Sequence, residues 1–148
     1  MMRYILVGIA AFIVLGAGLM TFEWYRGTNE AEAFGTPFEL VDHTGQPITE
    51  AAFQDNPSAL FFGFTHCPDV CPTTLFELDG WLEQLGQEGE EVQAFFVSVD
   101  PERDTPEVME TYLGNFSDRI TGITGEPEEI AAMAKGFHVY ARKVELED

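Results

Sequence analysis

The chain has 148 residues, 45% of them hydrophobic and thirteen of them phenylalanine, which is enough for one small domain and a membrane segment but not for two domains. Its 26 acidic and 7 basic residues give a net charge of −19, which argues against nucleic-acid binding because such a surface repels phosphates. The acidity fits a solvated surface, adaptation to high salt, or docking to a basic partner.

An apolar segment opens the chain. Tyr4 to Phe22 carries no charge, and nineteen helical residues at about 1.5 Å each span roughly 28 Å, close to the thickness of a bilayer's hydrocarbon core. Trp24 and Tyr25 follow as in an interfacial aromatic belt, whereas the small-x-small pattern at residues 31–33 lies too far downstream for a signal-peptide cleavage site. We therefore predict a single-pass, uncleaved anchor over residues 1–26. The slight positive bias at its N-terminal side predicts that the soluble part faces the periplasm or the cell exterior.

A polar linker over residues 27–36 leads into a domain predicted over residues 37–148. Phe38 to Asp42 alternates between apolar and polar residues, and His43 to Pro47 supplies a turn, so the domain is predicted to begin with a β-hairpin. His43 is interpreted as a solvated turn histidine rather than a ligand.

Strand and helix patterns alternate through the rest of the domain. Apolar runs predict strands, apolar residues at three- and four-residue spacings predict helices, and capping signals set the helix ends. The predicted strands are Ala59–Phe64 (buried on both faces), Val92–Val99, a minor strand at Ile120–Ile123, and Phe137–Val144. The predicted helices are Pro72–Leu85, a helix from Thr105-Pro106 to Tyr112 or Leu113, and Glu126–Lys135 closed by Gly136, with a charged turn over Gly86–Glu91. This alternation predicts an α/β fold whose central sheet is at least partly parallel.

The only two cysteines, Cys67 and Cys71, are spaced C-x-x-x-C between a predicted strand and a predicted helix. Unpaired N–H groups and the positive dipole end of a helix N-terminus favour thiolate over thiol. Thiolates serve disulfide exchange, and they also bind a soft metal such as Cu(I). A structural disulfide is the third interpretation, although a bridge that closes so small a loop would add little stability.

Three segments carry a family resemblance. The first, Gly63 to Leu75, reads GFTHCPDVCPTTL, the second, Ser98 to Glu107, reads SVDPERDTPE, and the third is Gly122 to Gly125. Together they resemble the signature of the Sco/SenC proteins, and the resemblance covers Phe38 to Val144. The first motif is long and specific, unlike a bare C-x-x-x-C.

The resemblance implies a thioredoxin-like, three-layer α/β sandwich that is tethered to a membrane. The family delivers copper to the CuA site of cytochrome c oxidase, and some members reduce the target cysteines. Cys67 and Cys71 match the family's copper-ligating, redox-active thiols, and Asp100 matches an acidic position after its second core strand.

The family's third copper ligand is a histidine in a segment that precedes a β-hairpin and a last helix. The sequence stops at Asp148, where that segment should begin, so the ligand is expected beyond Asp148 and the hairpin and helix are expected to be missing. A truncated sequence is preferred over a member that lacks the ligand, because a sheet without its last hairpin would keep an open apolar edge. His138 falls on a predicted strand rather than in the ligand motif. The supporting residues in the turn are His66, Pro68 and Asp69.

Two functions from different classes follow. The first is a copper chaperone that binds Cu(I), with Cu(II) left open, through the dithiol and delivers it to the CuA site or prepares that site. Its partners would be the oxidase subunit with the CuA site, other copper chaperones and thiol reductants. The alternative is a membrane-tethered thiol–disulfide oxidoreductase. The C-x-x-x-C spacing, one residue longer than the thioredoxin motif, favours metal handling, and a peroxidase is disfavoured because Thr65 and Cys67 lie only two residues apart.

Overall fold

The computed structural model describes residue 8, residues 15–21 and residues 35–143, and the chain divides into two units, 1–34 and 35–148. Residues 15–21 are helical. Most of the predicted anchor and most of the predicted linker lie outside the described residues. Among the residues that are described, none of the helices has the length and apolar character needed to cross a membrane.

A five-stranded mixed sheet forms the centre of residues 35–143. Its strands are β1 (Glu39–Asp42), β2 (Pro47–Thr49), β3 (Ser58–Gly63), β4 (Gln93–Ser98) and β5 (Ile120–Thr124), in the spatial order β2-β1-β5-β4-β3. β3, β4 and β5 run parallel, whereas β1 is antiparallel to both β2 and β5. The predicted hairpin and the predicted partly parallel sheet are confirmed.

Three α-helices and one 3-10 turn connect the strands of residues 35–143, and a fourth α-helix follows β5. They are the turn Glu50–Phe53 and the helices α1 (Val70–Gln84), α2 (Gln87–Glu91), α3 (Pro106–Leu113) and α4 (Pro127–Gly136). The Thr105 hydroxyl accepts a hydrogen bond from the Val108 N–H at the start of α3, and Pro106 occupies the first turn, where no intrahelical donor is needed. The three predicted helices are confirmed to within two residues, and the predicted charged turn contains the short α2.

Apolar clusters lie on both faces of the sheet, because alternate residues of each strand point to opposite sides. The cluster on the α4 side consists of the buried residues Phe38, Leu40, Phe95, Val97, Ile123, Ile130 and Met133. The cluster on the α1 and α3 side consists of the buried residues Leu75, Leu82, Ala94, Phe96, Met109, Leu113 and Ile120. Helices therefore cover both faces, and the predicted three-layer arrangement is confirmed.

The prediction that Ile120–Ile123 is a minor strand was wrong. β5 lies between β1 and β4, and Ile120 and Ile123 are almost completely buried. The prediction that Ala59–Phe64 is buried on both faces was also wrong, since β3 pairs only with β4 among the described strands and most of its residues are half-buried. The short apolar run suggested that β5 is a minor strand, and the apolar composition of Ala59–Phe64 suggested more burial than the strand has.

The predicted strand Phe137–Val144 is absent from the described residues 137–143. His138 instead adopts a left-handed conformation, with φ 58°, just after α4. The His138 N–H donates to the Lys135 carbonyl at 3.0 Å, and the Val139 N–H donates to the Ala134 carbonyl at 2.8 Å. These two bonds form a Schellman motif, so this segment satisfies the last carbonyls of the helix instead of pairing with the sheet.

Candidate metal and redox site

The two cysteines lie where β3 passes into α1. The Cys67 N–H donates to the Phe64 carbonyl at 3.2 Å, which closes a turn, and α1 begins three residues after Cys67. Cys71 is the second residue of α1, and both thiols are free. The predicted placement of both thiols at the helix N-terminus is confirmed.

The sulfur of Cys67 serves as an acceptor for the start of α1. The Cys71 N–H donates to Cys67 Sγ at 3.3 Å, whereas the side chain of the capping residue, Asp69, accepts no capping hydrogen bond. A hydrogen bond from the Cys71 thiol lowers the pKa of the Cys67 thiol below its ordinary value, and the N–H groups of Cys71, Asp69 and Val70 lower it further. Cys67, which is half-buried, is therefore the sulfur that ionises first.

The second sulfur has the opposite properties. Cys71 is buried, with only 5% of its surface exposed. Burial raises the pKa of the Cys71 thiol to about 11, and its hydrogen bond to Cys67 acts in the same direction. Gly63 makes room for it, because a methyl group on Gly63 would lie 3.0 Å from Cys71 Sγ and 2.7 Å from the ring of Phe96. The pair thus consists of an accessible sulfur that ionises easily and a buried one that keeps its proton.

A buried carboxylate lies beside the thiols. Asp104 is completely buried and accepts hydrogen bonds from the Thr65 N–H (3.0 Å), the Thr65 hydroxyl (2.6 Å) and the Ser98 hydroxyl (2.6 Å). It is close enough to Cys71 that its negative charge contributes to the raised pKa of that thiol. Sequence reasoning did not select Asp104, since a position just before a helix cap gives no sign of burial.

His66 is oriented by the same network. The Thr65 hydroxyl donates its only proton to Asp104, so it can accept from His66 Nδ1, which lies 3.1 Å away. Neutral His66 would then carry its proton on Nδ1 and keep Nε2 as the acceptor. More than half of this side chain is exposed, and Nδ1 lies 3.9 Å from Asp104 Oδ1. The ring of His66, which precedes Cys67 in the sequence, is thus oriented by Thr65. Its supporting role stays a prediction.

Asp100 forms an ion pair with Arg103, and its backbone N–H donates to the Ser98 hydroxyl at 3.1 Å. No contact of Asp100 with either thiol is seen among the described residues, whereas the charge of Asp104 contributes to the raised pKa of Cys71. Pro68 and Asp69 are exposed in the turn between Cys67 and α1.

The interpretation of His43 as a solvated turn histidine was wrong. His43 is half-buried, and its Nδ1 accepts a hydrogen bond from the Gly122 N–H at 3.0 Å. The backbone N–H of His43 also donates to the Gly122 carbonyl at 2.9 Å. His43 therefore joins the β1–β2 turn to β5.

The donor chemistry of the dithiol suits a soft ion, since two sulfurs lie within reach of one another. Across the described residues, no three side chains of His, Cys, Asp or Glu are grouped so that they could hold a metal ion. The two cysteines thus provide part of a metal site, not a complete one.

The sequence is similar to known proteins. The family model described as SCO1/SenC matches residues 26–148. The chain belongs to the SCO1/SenC family. "Protein SCO1 homolog 1, mitochondrial" from Arabidopsis thaliana is 41% identical over 117 residues, which cover 78% of this chain and 35% of that protein. The chain therefore spans about a third of the length of that relative.

Solved structures of Sco proteins show the same fold. The structure of Bradyrhizobium japonicum ScoI with copper bound is 46% identical, covers 78% of this chain and 73% of that chain, and superposes with a TM-score of 0.73. BsSco, a member of the Sco family of cytochrome c oxidase assembly proteins in which a disulfide switch was identified, is 26% identical, with coverage of 73% and 66% and a TM-score of 0.61. The predicted thioredoxin-like α/β fold is confirmed for this SCO1/SenC chain.

Proposed function

We propose that this protein is a copper chaperone that binds Cu(I) through Cys67 and Cys71 and delivers it to, or prepares, the CuA site of cytochrome c oxidase. The observation that carries the proposal is the adjacent pair of free sulfurs at the start of α1, one of which ionises readily. The copper-bound ScoI relative and the oxidase-assembly role of BsSco support it. Copper is the cargo of this site, and Cu(I) is soft enough to prefer two thiolates.

The ligand set needs a third member to make a trigonal Cu(I) site. We propose that a histidine beyond Asp148 supplies it, as the family resemblance implies. His66 has a supporting role, because Thr65 and Asp104 hold its ring. Whether Cu(II) also binds depends on the same third ligand, since an imidazole suits Cu(II) better than a thiolate pair alone does.

The test is a Cu(I) titration of the reduced full chain in mild detergent, in competition with a chromophoric Cu(I) chelator. Wild type is expected to bind one Cu(I) per chain, and both Cys67→Ser and Cys71→Ser are expected to lose binding. Ser117→Ala, which changes a hydroxyl away from the thiols, is the matched control and should bind like wild type. A wild-type chain that takes no Cu(I) from the chelator, both alone and with free imidazole supplied in place of the third ligand, would refute the copper proposal.

The second candidate function is thiol–disulfide exchange with a partner protein. It is favoured by the contrast between accessible Cys67, with its lowered pKa, and buried Cys71. In this reaction the Cys67 thiolate attacks one sulfur of the partner's disulfide and the other sulfur leaves as a thiolate. Cys71, after losing its proton, then attacks Cys67 in the mixed disulfide, which releases the second partner thiolate and leaves a Cys67–Cys71 disulfide.

A trapping experiment separates the two functions. In the Cys71→Ser variant the mixed disulfide should persist, because no second thiol remains to resolve it. Accumulation of that adduct with a peptide containing a disulfide, together with absent Cu(I) binding by wild type, would favour exchange over metal delivery.

We further propose that residues 1–26 anchor the protein in the membrane and that the domain faces the periplasm or the cell exterior. The uncharged stretch Tyr4 to Phe22 supports this. The full chain should stay in the membrane fraction after an alkaline wash, and a chain without residues 1–26 should not. Protease added to cells whose outer barrier has been removed, but whose plasma membrane is intact, should digest the domain if it faces the periplasm or the cell exterior.

A further inference from the structure

A groove borders the turn that carries Cys67. It has a volume of about 500 Å³ and is lined mostly by apolar surface. We call it the docking groove, and its lining includes Thr65 and His66, which precede Cys67, and Glu107, Val108, Thr111 and Tyr112 of α3. Cys67 is the more accessible of the two sulfurs, so a chain that lies in the groove passes beside the turn of the reactive one.

The α3 wall of the docking groove exposes apolar surface. Val108 is 38% exposed and Tyr112 is half-buried, whereas Met109 and Leu113 of the same helix are almost completely buried. Thr111 and Tyr112 follow Val108 by three and four residues, so the three side chains share one face of α3. Concave apolar surface beside a reactive group is typical of a binding site.

The charge around the docking groove is negative. Glu107 lies in its lining and is exposed, and none of the described residues that line the groove is a lysine or an arginine. Arg103, in the loop before α3, is already paired with Asp100. The whole chain has a net charge of −19. Such a groove repels a second copy of the chain and an anionic membrane, and it attracts a basic segment.

We propose that the docking groove binds a segment of the partner protein in which an apolar side chain, next to the partner's cysteine, is flanked by lysine or arginine. The apolar side chain packs on Val108 and Tyr112, the basic side chains face Glu107, and the cysteine reaches Cys67. Copper delivery and disulfide exchange both require a partner cysteine at the accessible sulfur, so the groove selects which cysteines react. The inference rests on the proposed function, because it specifies the chemistry of that function's partner.

Short synthetic peptides serve as the probe. Each peptide carries one cysteine joined to thionitrobenzoate by a disulfide. The Cys67 thiolate attacks the peptide sulfur, a mixed disulfide forms, and thionitrobenzoate leaves as a coloured thiolate whose release gives the rate. The protein is the full chain with Cys71→Ser in mild detergent, so that Cys67 is its only cysteine.

The peptide sequence should control the rate. A peptide with leucines beside the cysteine and lysines outside them should react about fivefold or more faster than the same peptide with serines in place of the leucines, because the groove buries the apolar side chains. Replacing the lysines with glutamates should slow the reaction by about the same factor at low salt and by less at high salt, because salt screens the charges.

Variants made in the same Cys71→Ser chain locate the preference. Val108→Ser should remove most of the preference for leucine, and Glu107→Lys should reverse the preference for lysine over glutamate. Leu85→Ser and Glu83→Lys are the matched controls, because both residues are exposed near the end of α1 that lies away from the cysteines. Both controls should keep the peptide preferences of the parent chain.

Equal rates for the leucine and serine peptides, or equal effects of Val108→Ser and Leu85→Ser, would overturn the inference and leave the Cu(I) titration untouched. A dimer in sedimentation analysis that Val108→Ser dissociates would also overturn it, since the occupant of the groove would then be a second copy of the chain. If the peptide preferences appear but wild type takes up no Cu(I), the copper proposal fails, and the inference stands for disulfide exchange.

Discussion

The Cys71 N–H donates a hydrogen bond to Cys67 Sγ at 3.3 Å, so the first turn of α1 stabilises the sulfur that precedes it. The Cys71 thiol adds a second donor to the same sulfur. The hydrogen bonds from Cys71 therefore lower the pKa of the Cys67 thiol, while burial raises the pKa of the Cys71 thiol to about 11. The two thiols differ because Cys71 is buried, whereas Cys67 accepts hydrogen bonds from the first turn of α1.

This asymmetry predicts the order of alkylation. In the reduced protein, iodoacetamide should modify Cys67 first, because only the thiolate reacts and Cys67 is the more exposed of the two. In Cys71→Ala the thiol donor is lost, so the pKa of Cys67 should rise and its rate near neutral pH should fall. Mass spectrometry of each modified peptide across pH 5–10 measures both effects. Equal rates at the two positions in wild type would contradict the assignment.

The raised pKa of Cys71 predicts a loss of stability in alkali. Folding makes this thiol hold its proton more tightly, so the stability it contributes is complete below the ordinary thiol pKa of about 8.5 and is lost as the pH rises toward about 11. By pH 10 the loss should be on the order of 2 kcal/mol. Measurements should stop at pH 10, because burial raises the pKa of Tyr112 to about 12 and adds a second loss above its ordinary value.

Urea unfolding of the reduced protein between pH 7 and pH 10 provides the measurement. Cys71→Ala is the matched variant, since it cannot ionise at this position, and its free energy of unfolding should fall less over the same range. Parallel profiles for wild type and variant would show that Cys71 is not the group responsible.

The network around Asp104 predicts a coupled effect on stability and on the thiols. Asp104→Asn replaces one carboxylate oxygen with an NH2 group. This group cannot accept the hydrogen bond of the Thr65 N–H, the Thr65 hydroxyl or the Ser98 hydroxyl that it would face. We expect it to cost about 1–3 kcal/mol in the free energy of unfolding. It should also lower the pKa of Cys71, because the negative charge of Asp104 contributes to the raised value.

Denaturant titration and alkylation of Cys71 in a Cys67→Ala background give the two readouts for Asp104→Asn. Asp118→Asn is the control, since Asp118 is exposed, and it should change neither quantity. An unchanged Cys71 pKa in a folded Asp104→Asn protein would remove Asp104 from the account of the thiol site.

The sequence was sufficient to predict the strand–turn–helix that carries the cysteines, because Pro68, Pro72 and the apolar run before Cys67 are local signals. It could not identify Asp104. Asp104 meets Thr65 across 39 positions. Such pairings depend on which strands lie side by side, and no local pattern encodes that order.

The wrong predictions have a similar cause. The sequence predicts only a minor strand at β5, because five residues give a weak periodic signal. In the sheet, β5 lies between two other strands. His138 lies in an apolar stretch typical of a strand, yet its left-handed backbone closes α4. At β5 the tertiary arrangement outweighed the local preference, and at His138 the capping of α4 did.

The close packing at Gly63 predicts that even one methyl group will disturb the site. Gly63→Ala would place its Cβ 3.0 Å from Cys71 Sγ and 2.7 Å from Phe96, and both of these side chains are buried. We expect a loss of about 1–3 kcal/mol in the free energy of unfolding, as is usual for overpacking. Because Cys71 must shift, Cu(I) affinity should fall as well.

Gly80→Ala is the matched control, because Gly80 lies within α1 and a methyl group there would meet no other atom within 4 Å. This change should stabilise the protein by about 0.5–1 kcal/mol through helix propensity and leave Cu(I) affinity unchanged. Urea unfolding and the chelator competition measure both variants. Gly63→Ala should destabilise the protein and Gly80→Ala should stabilise it. Equal effects on stability would mean that Gly63 does not act through its contact with Cys71.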